Sequence, residues 1–358
     1  MRPILLNPGP VSLSEGVRRA VAREDLCHRE PEFFELQDKV ISGLLEVYQC
    51  DPSDWAAVMV GGSGTTAMEA MVASLVPQDA NVLVLENGVY GERLSKIAAI
   101  YRISNQALNT SWGGEINLEK LEDLLAAGGI SHVLAVHHET TTGRLNPVEK
   151  IAALCTRYGV KLLLDAVSSF GAESIPFNEK SLQAVAATAN KCLHAIPGLA
   201  MVICRHQALK QGVEPRSLVL HLPAWAEHQA RQSTPFTPAV NGMLGLKRAL
   251  KELKKQGGWK ARRSRYHMLA NRVLATCEDL GIEPWLPASE SSCVLRSYHL
   301  PAGLTYNALH DGLKQQGFVI YAGQGKLSEQ LFRISTMGEI SDYDMARLEQ
   351  ALRTVIAG

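Results

Sequence analysis

The sequence has no net charge, no cysteine pair at metal or redox spacing, no long apolar run and no repeat. Its 36 Lys and Arg balance 36 Asp and Glu over 358 residues. A chain neutral overall has no general attraction for nucleic acid or anionic lipid. Charged residues are only 20% and hydrophobic ones 46%, which excludes a disordered chain. No apolar stretch approaches the roughly 20 residues a membrane span needs. Three apolar residues, Ile4 to Leu6, stand before Asn7-Pro8-Gly9-Pro10, too few for a signal-peptide core. None of Cys27, Cys50, Cys155, Cys192, Cys204, Cys277 and Cys293 lies three residues from another. That removes C-x-x-C metal and redox motifs and points to reduced thiols, most of them small core hydrophobes. His137 and His138 are adjacent, not one helical turn apart, so no metal site is expected. The expected setting is the cytoplasm.

What is present is an alternation. Apolar strands are expected at 57–60, 81–85, 132–136, 161–165 and 200–204. Helices are expected at 65–75, 91–101 and 148–158. Continuous apolar strands separated by helices indicate a buried, mainly parallel sheet flanked by helices, an α/β fold. After about residue 240 the pattern changes. A Lys-rich helix (244–256) ends at Gly257-Gly258, and helices 259–280, 306–316 and 341–356 mix with short strands near 293–296, 318–321 and 331–334. The expected division is an N-terminal arm (1–15), a large domain (16–245) and a smaller C-terminal α+β domain (246–358).

Three local features carry chemistry. Gly61-Gly62-Ser63-Gly64-Thr65-Thr66 joins a strand to a helix. Glycines there let backbone N–H groups approach an anion, and the helix start adds partial positive charge. No lysine follows in the G-K-[ST] manner, so it is not a nucleoside-triphosphate loop. Such turns also occur for structural reasons alone. Asp165 ends an apolar strand, where an acid can face a ligand crevice and hold a cationic ring nitrogen, or simply cap a turn. Lys191 lies in a nearly uncharged stretch from Ser181 to Cys204. Desolvation would free its amine for Schiff-base chemistry, although a lysine at an element end can also just snorkel to water. Together a phosphate cradle, a strand-end acid and a lysine nucleophile are the parts that pyridoxal phosphate requires.

Gly62-Ser63-Gly64-Thr65, His137-His138-Glu139-Thr140-Thr141-Thr142-Gly143, Asp165-Ala166-Val167-Ser168-Ser169-Phe170-Gly171 and Ala189-Asn190-Lys191-Cys192 follow one another along the chain. In that order and spacing the chain resembles the class V aminotransferases, pyridoxal-phosphate enzymes of fold type I. The resemblance is extended by Asn7-Pro8-Gly9-Pro10, Gly317-Phe318-Val319-Ile320-Tyr321 and Phe332-Arg333-Ile334, and covers nearly the whole chain. It implies that Lys191 bonds the cofactor and that Asp165 pairs with its ring nitrogen. Ser63, Gly64 and Thr65 would hold the phosphate. Tyr90 would stack on the ring, Thr140 would approach the phenolic oxygen, and Val167 and Asn190 would complete the cofactor set. Thr237 looks like the residue that reaches the neighbouring subunit's phosphate, which implies a homodimer with sites at the interface. Arg333 matches the arginine that takes the acceptor's carboxylate, a role its planar guanidinium suits on chemistry alone.

The implied activity is a ping-pong exchange that moves the amino group of 2-aminoethylphosphonate to pyruvate. Its partners are a small amine and a 2-oxoacid, with no nucleic acid and no membrane. The sequence departs from that branch at Cys27-His28-Arg29-Glu30, which is more like the alanine–glyoxylate and serine–glyoxylate branches. His138 also stands where a small residue is usual. His28 and Arg29 could meet a phosphonate or carboxylate at the mouth of the site, or form a plain surface turn. The second expectation is therefore an alanine– or serine–glyoxylate exchange. A cysteine desulfurase is disfavoured, because no cysteine lies in a mobile Ser/Gly-rich loop. A non-catalytic nucleotide- or phosphate-binding protein is the alternative of another class.

Overall fold

The computed structural model describes residues 2–23 and 25–357. Seven strands form the main sheet, in the order Trp55–Gly61, Leu199–Arg205, Leu182–Thr188, Lys161–Asp165, His132–Val136, Asn81–Glu86 and Ser104–Asn109. Leu199–Arg205 runs antiparallel to both neighbours, and every other pairing is parallel. The inner strands are Val-, Leu- and Ala-rich because both faces are covered. One face packs on the helices Pro31–Glu46, Val148–Arg157 and Val240–Lys255. The other packs on Gly64–Leu75 and Val89–Ile100. Each fully buried Val or Leu contributes about 1.5–3 kcal/mol.

The expected strands and helices are present, with ends shifted by a few residues. Leu182–Thr188 and the edge strand Ser104–Asn109 are additional, as are helices Glu15–Val21, Pro31–Glu46, Leu118–Ala126 and Leu222–Ala230. The expected strand at 318–321 is two short strands, Phe318–Val319 and Tyr321–Ala322. The expected domain boundary at 245/246 falls inside the helix Val240–Lys255. Leu246, Ala249, Leu250 and Leu253 of that helix are buried in the large core. The C-terminal part has its own core, which includes Leu269, Val273, Leu309, Phe332 and Leu352. The N-terminal arm is tied to that part, since Ile4–Leu5 pairs in parallel with Phe318–Val319.

Parallel strands place their carboxyl ends along one edge. Glu86, Val136, Asp165 and Thr188 all end there. Gly61 joins them because Leu199–Arg205 lies antiparallel between its strand and Leu182–Thr188. The segments that carry Gly62, Tyr90, Thr140, Asp165 and Lys191 therefore emerge side by side. Among the described residues, no helix is long and apolar enough to cross a membrane.

Candidate active site

The glycine loop and the aspartate turn touch. A side chain begun at Gly64 would lie 2.3 Å from Val167 Cγ1. Gly62 has φ +141°, and a Cβ there would meet Thr66 Oγ1 at 2.2 Å, so only glycine fits. The Thr66 hydroxyl accepts the Ser63 N–H at 3.1 Å. The first N–H groups of the helix Gly64–Leu75, at Gly64 and Thr65, have no acceptor within the helix. Such an N-terminus favours an anion.

Asp165 is buried at the end of its strand. Its Oδ1 accepts the Val167 N–H at 2.9 Å, so the turn-capping role is real but uses one oxygen. Burial raises the carboxyl to about 6, while the Val167 bond and the charges of Lys191 and Arg93 hold it down. A partly solvent-free acid with one uncommitted oxygen suits a protonated ring nitrogen. With the Gly62–Thr65 loop beside it, the residues fit pyridoxal phosphate.

Lys191 is half-buried in a turn clamped from both parts of the chain. Arg262 Nη1 donates to the Cys192 carbonyl at 2.6 Å. His194, at φ +62°, accepts the Gly338 N–H on Nε2 at 2.9 Å, and the Tyr266 hydroxyl meets the same nitrogen. Gly9 packs on the lysine stem: a Cβ there would stand 3.2 Å from Lys191 Cγ, and its φ of +108° favours glycine. Asn190 is fixed through its Oδ1, which accepts the Thr188 hydroxyl at 2.8 Å.

Arg333 is buried, and burial lowers its pKa. Its Nε donates to the Ala322 carbonyl at 2.8 Å and its Nη1 to the Thr140 carbonyl at 2.7 Å. It makes no ion pair among the described residues. Thr140 thus ties the segment after the strand His132–Val136 to the guanidinium. The neighbouring Glu139 is fully buried and accepts N–H bonds from Tyr90, Gly91 and Thr141 and a hydroxyl bond from Thr141. Burial raises its carboxyl to about 7 despite these bonds.

Other expected residues make none of these contacts. Thr237 is exposed and lines a cavity with His28, Ile196 and Pro197. Arg29 is exposed, and its Nη1 donates to the Thr234 carbonyl at 3.3 Å. His138 is not at an open mouth. It is 2% exposed, its carbonyl accepts the Ser168 hydroxyl at 3.0 Å, and burial drives its pKa to about 3. Three contributors had no role in the sequence reading: Glu139, Gly9 and Arg93. Arg93 follows Tyr90 by three residues on one helix, a spacing that places both on one face. No group of His, Cys, Asp and Glu among the described residues could hold a metal.

The sequence model of the class V aminotransferases matches residues 53–298. A 2-aminoethylphosphonate–pyruvate transaminase of Vibrio vulnificus is 35% identical over 356 residues, which is 98% of this chain and 96% of the relative. One from Pseudomonas aeruginosa is 35% identical over 361 residues, 99% of this chain and 95% of the relative. The solved alanine–glyoxylate aminotransferase of Nostoc sp. superposes with a TM-score of 0.92 at 25% identity, covering 99% of this chain and 96% of its own.

Proposed function

Because the chain belongs to the class V aminotransferases, we propose that it moves the amino group of 2-aminoethylphosphonate to pyruvate, giving phosphonoacetaldehyde and L-alanine. The enzyme uses pyridoxal phosphate, which when bound supplies an electron sink for the carbanion formed at the substrate carbon. Ser63, Gly64 and Thr65 hold the phosphate through backbone N–H groups and hydroxyls. Asp165 keeps the ring nitrogen protonated. Tyr90 and Val167 confine the ring, and Thr140 and Asn190 orient its polar edge. Lys191 would hold the cofactor through its amine and, once freed by the incoming donor, would take up and return the proton of the substrate carbon, as base and then acid.

The observation that carries the reading is Arg333. Two backbone carbonyls aim a buried guanidinium that lacks an acidic partner among the described residues. Such a group favours an anionic substrate, since its charge is otherwise uncompensated. Pyruvate's carboxylate and the phosphonate both qualify in turn. We place the protein in the cytoplasm as a homodimer, with Thr237 of the partner subunit completing the phosphate site. Seven free cysteines support a reducing compartment.

The Cys27-His28-Arg29-Glu30 segment and the likeness to the Nostoc enzyme favour a second reading, alanine–glyoxylate exchange. A donor screen with pyruvate held constant, read as alanine formed, together with a parallel assay of alanine with glyoxylate, read as glycine formed, separates the two. Turnover with 2-aminoethylphosphonate well above other amines supports the first. A clear preference for glyoxylate with alanine as donor overturns it. The holoprotein should be yellow and lose its visible band on borohydride reduction. A colourless holoprotein would speak for a non-catalytic phosphate binder.

A further inference from the structure

Arg93 and Tyr90 share one face of the helix Val89–Ile100. The guanidinium carbon of Arg93 stands 4.6 Å from the centre of the Tyr90 ring. Its Nη1 donates to Thr65 Oγ1 at 3.0 Å. Arg93 is half-buried and makes no ion pair among the described residues. The direction of its bond to Thr65 is not free. A guanidinium has five N–H donors and no acceptor, so the threonine oxygen must accept. The hydroxyl's own proton must then point away from Arg93. Among the described residues that hydroxyl has no acceptor, and Thr65 follows Gly64, which packs on Val167 of the aspartate turn.

We infer that Arg93 is a positioning residue of the cofactor's phosphate site: it turns the Thr65 hydroxyl into a committed donor toward the phosphate. The inference rests on the reading of Gly62 to Thr65 as that site. The charge on Arg93 strengthens the arrangement, because a hydrogen bond polarised by a cation makes the accepting hydroxyl a better donor. Arg93 acts through Thr65, so a buttress for Tyr90 alone is a different claim with a different outcome.

Pyridoxal phosphate and pyridoxal, which lacks the phosphate, separate the two claims. Each would be titrated into the cofactor-free protein and its Kd read from quenching of tryptophan fluorescence. The variants are Arg93→Met, Arg93→Lys, Thr65→Ala and the Arg93→Met/Thr65→Ala double variant. Arg93→Met should raise the Kd for pyridoxal phosphate about 10- to 100-fold, as expected for loss of a charged hydrogen bond. The Kd for pyridoxal should change less than about threefold. Arg93→Lys should recover part of the loss. In the Thr65→Ala background, Arg93→Met should add less than about threefold, since the relay is already gone. Equal losses for both ligands would mean that Arg93 only supports Tyr90 or the fold. Fully additive losses would mean that it acts without Thr65, and no loss would remove it from the site. Each of these overturns the inference. If Thr65→Ala leaves the pyridoxal phosphate Kd unchanged, the phosphate-site reading itself fails. The ratio of the two Kd values is unaffected by a general loss of stability.

Discussion

Glu139 Oε2 accepts the backbone N–H of Tyr90 at 3.1 Å, so a fully buried carboxylate anchors the first turn of the helix that presents the aromatic ring. The same oxygen accepts the Gly91 N–H at 3.3 Å, and the other takes the Thr141 N–H and hydroxyl. A glutamine has one oxygen and must turn an NH2 group toward one of these donor pairs. Glu139→Gln should therefore cost about 1–3 kcal/mol. The cost depends on pH. Burial raises the folded pKa of Glu139 from 4.5 to about 7. An acid with a raised folded pKa contributes stability fully below its unfolded value and loses it as pH rises through the folded one. The difference between wild type and Glu139→Gln should shrink from pH 5 toward pH 8. Thermal unfolding of the cofactor-free proteins across that range checks it. A difference that grows with pH would contradict the assignment.

Gly64 and Val167 are in closer contact than any Cβ at 64 allows. An alanine there would put its methyl 2.3 Å from Val167 Cγ1. Val167 is β-branched, with few rotamers to retreat into. Gly64→Ala should cost about 1–3 kcal/mol by overpacking. It should also weaken pyridoxal phosphate, because the valine is pushed toward the ring position. Val167→Ala removes the obstacle, so the Gly64→Ala/Val167→Ala pair should bind better than Gly64→Ala alone. Failure of that rescue, measured by cofactor titration, would show that the two positions are not coupled.

Much of this architecture was legible because buried parallel strands leave continuous apolar runs. Lys161–Asp165 and His132–Val136 are of that kind. Leu182–Thr188 is as buried, but Gln183 and its alanines dilute the apolar signal. Ser104–Asn109 is an edge strand with mostly exposed polar side chains, so no apolar pattern marks it. The expected domain boundary at 245/246 lies within the helix Val240–Lys255, where Lys247, Lys251 and Lys254 dominate the sequence while Leu246, Leu250 and Leu253 face the core. In the site, Asp165 and Lys191 were visible as types out of place in apolar surroundings. Glu139 sat inside a recognised string, yet its role depends on a helix nearly fifty residues earlier. Gly9 is farther still from the lysine stem it contacts. Only Arg93 could have been found locally, from its i, i+3 relation to Tyr90.

Asp165 should impose a pH limit on cofactor binding. Burial raises its folded pKa from 3.8 to about 6. The cofactor-free protein therefore holds a proton there below about pH 6. Its contribution to folding is complete below the unfolded value and is lost as pH rises through about 6. Binding runs in the opposite sense. The bound ring nitrogen and Asp165 share one proton, so below pH 6 one proton must leave on binding. Affinity should fall by up to about tenfold per pH unit on the acid side. The cofactor phosphate also titrates near 6, and Asp165→Asn retains that part alone. Subtracting the Asp165→Asn profile from the wild-type profile isolates the carboxylate. Identical profiles would mean that Asp165 does not face the ring nitrogen.

Arg333 should govern the oxoacid half of the reaction more than cofactor binding. Its Nε and Nη1 are committed to the Ala322 and Thr140 carbonyls, at 2.8 and 2.7 Å, which fixes the plane of the guanidinium. A lysine keeps one positive charge but cannot satisfy two carbonyls and grip a carboxylate with two parallel bonds. Arg333→Lys should lower kcat/KM for pyruvate about tenfold to a hundredfold, and Arg333→Met by about a hundredfold or more. Neither should change the Kd for pyridoxal phosphate beyond about threefold, because the side chain contacts the Thr140 carbonyl and not the phosphate loop. Single-turnover reaction of the aminated enzyme with pyruvate, followed by cofactor absorbance, measures the relevant step directly. Pyruvaldehyde, an acceptor without the carboxylate, provides the internal control. If Arg333 binds that group, the variants and wild type should turn it over at comparable low rates. A loss with pyruvaldehyde as large as that with pyruvate would assign Arg333 to holding the backbone at Ala322 and Thr140 rather than the substrate.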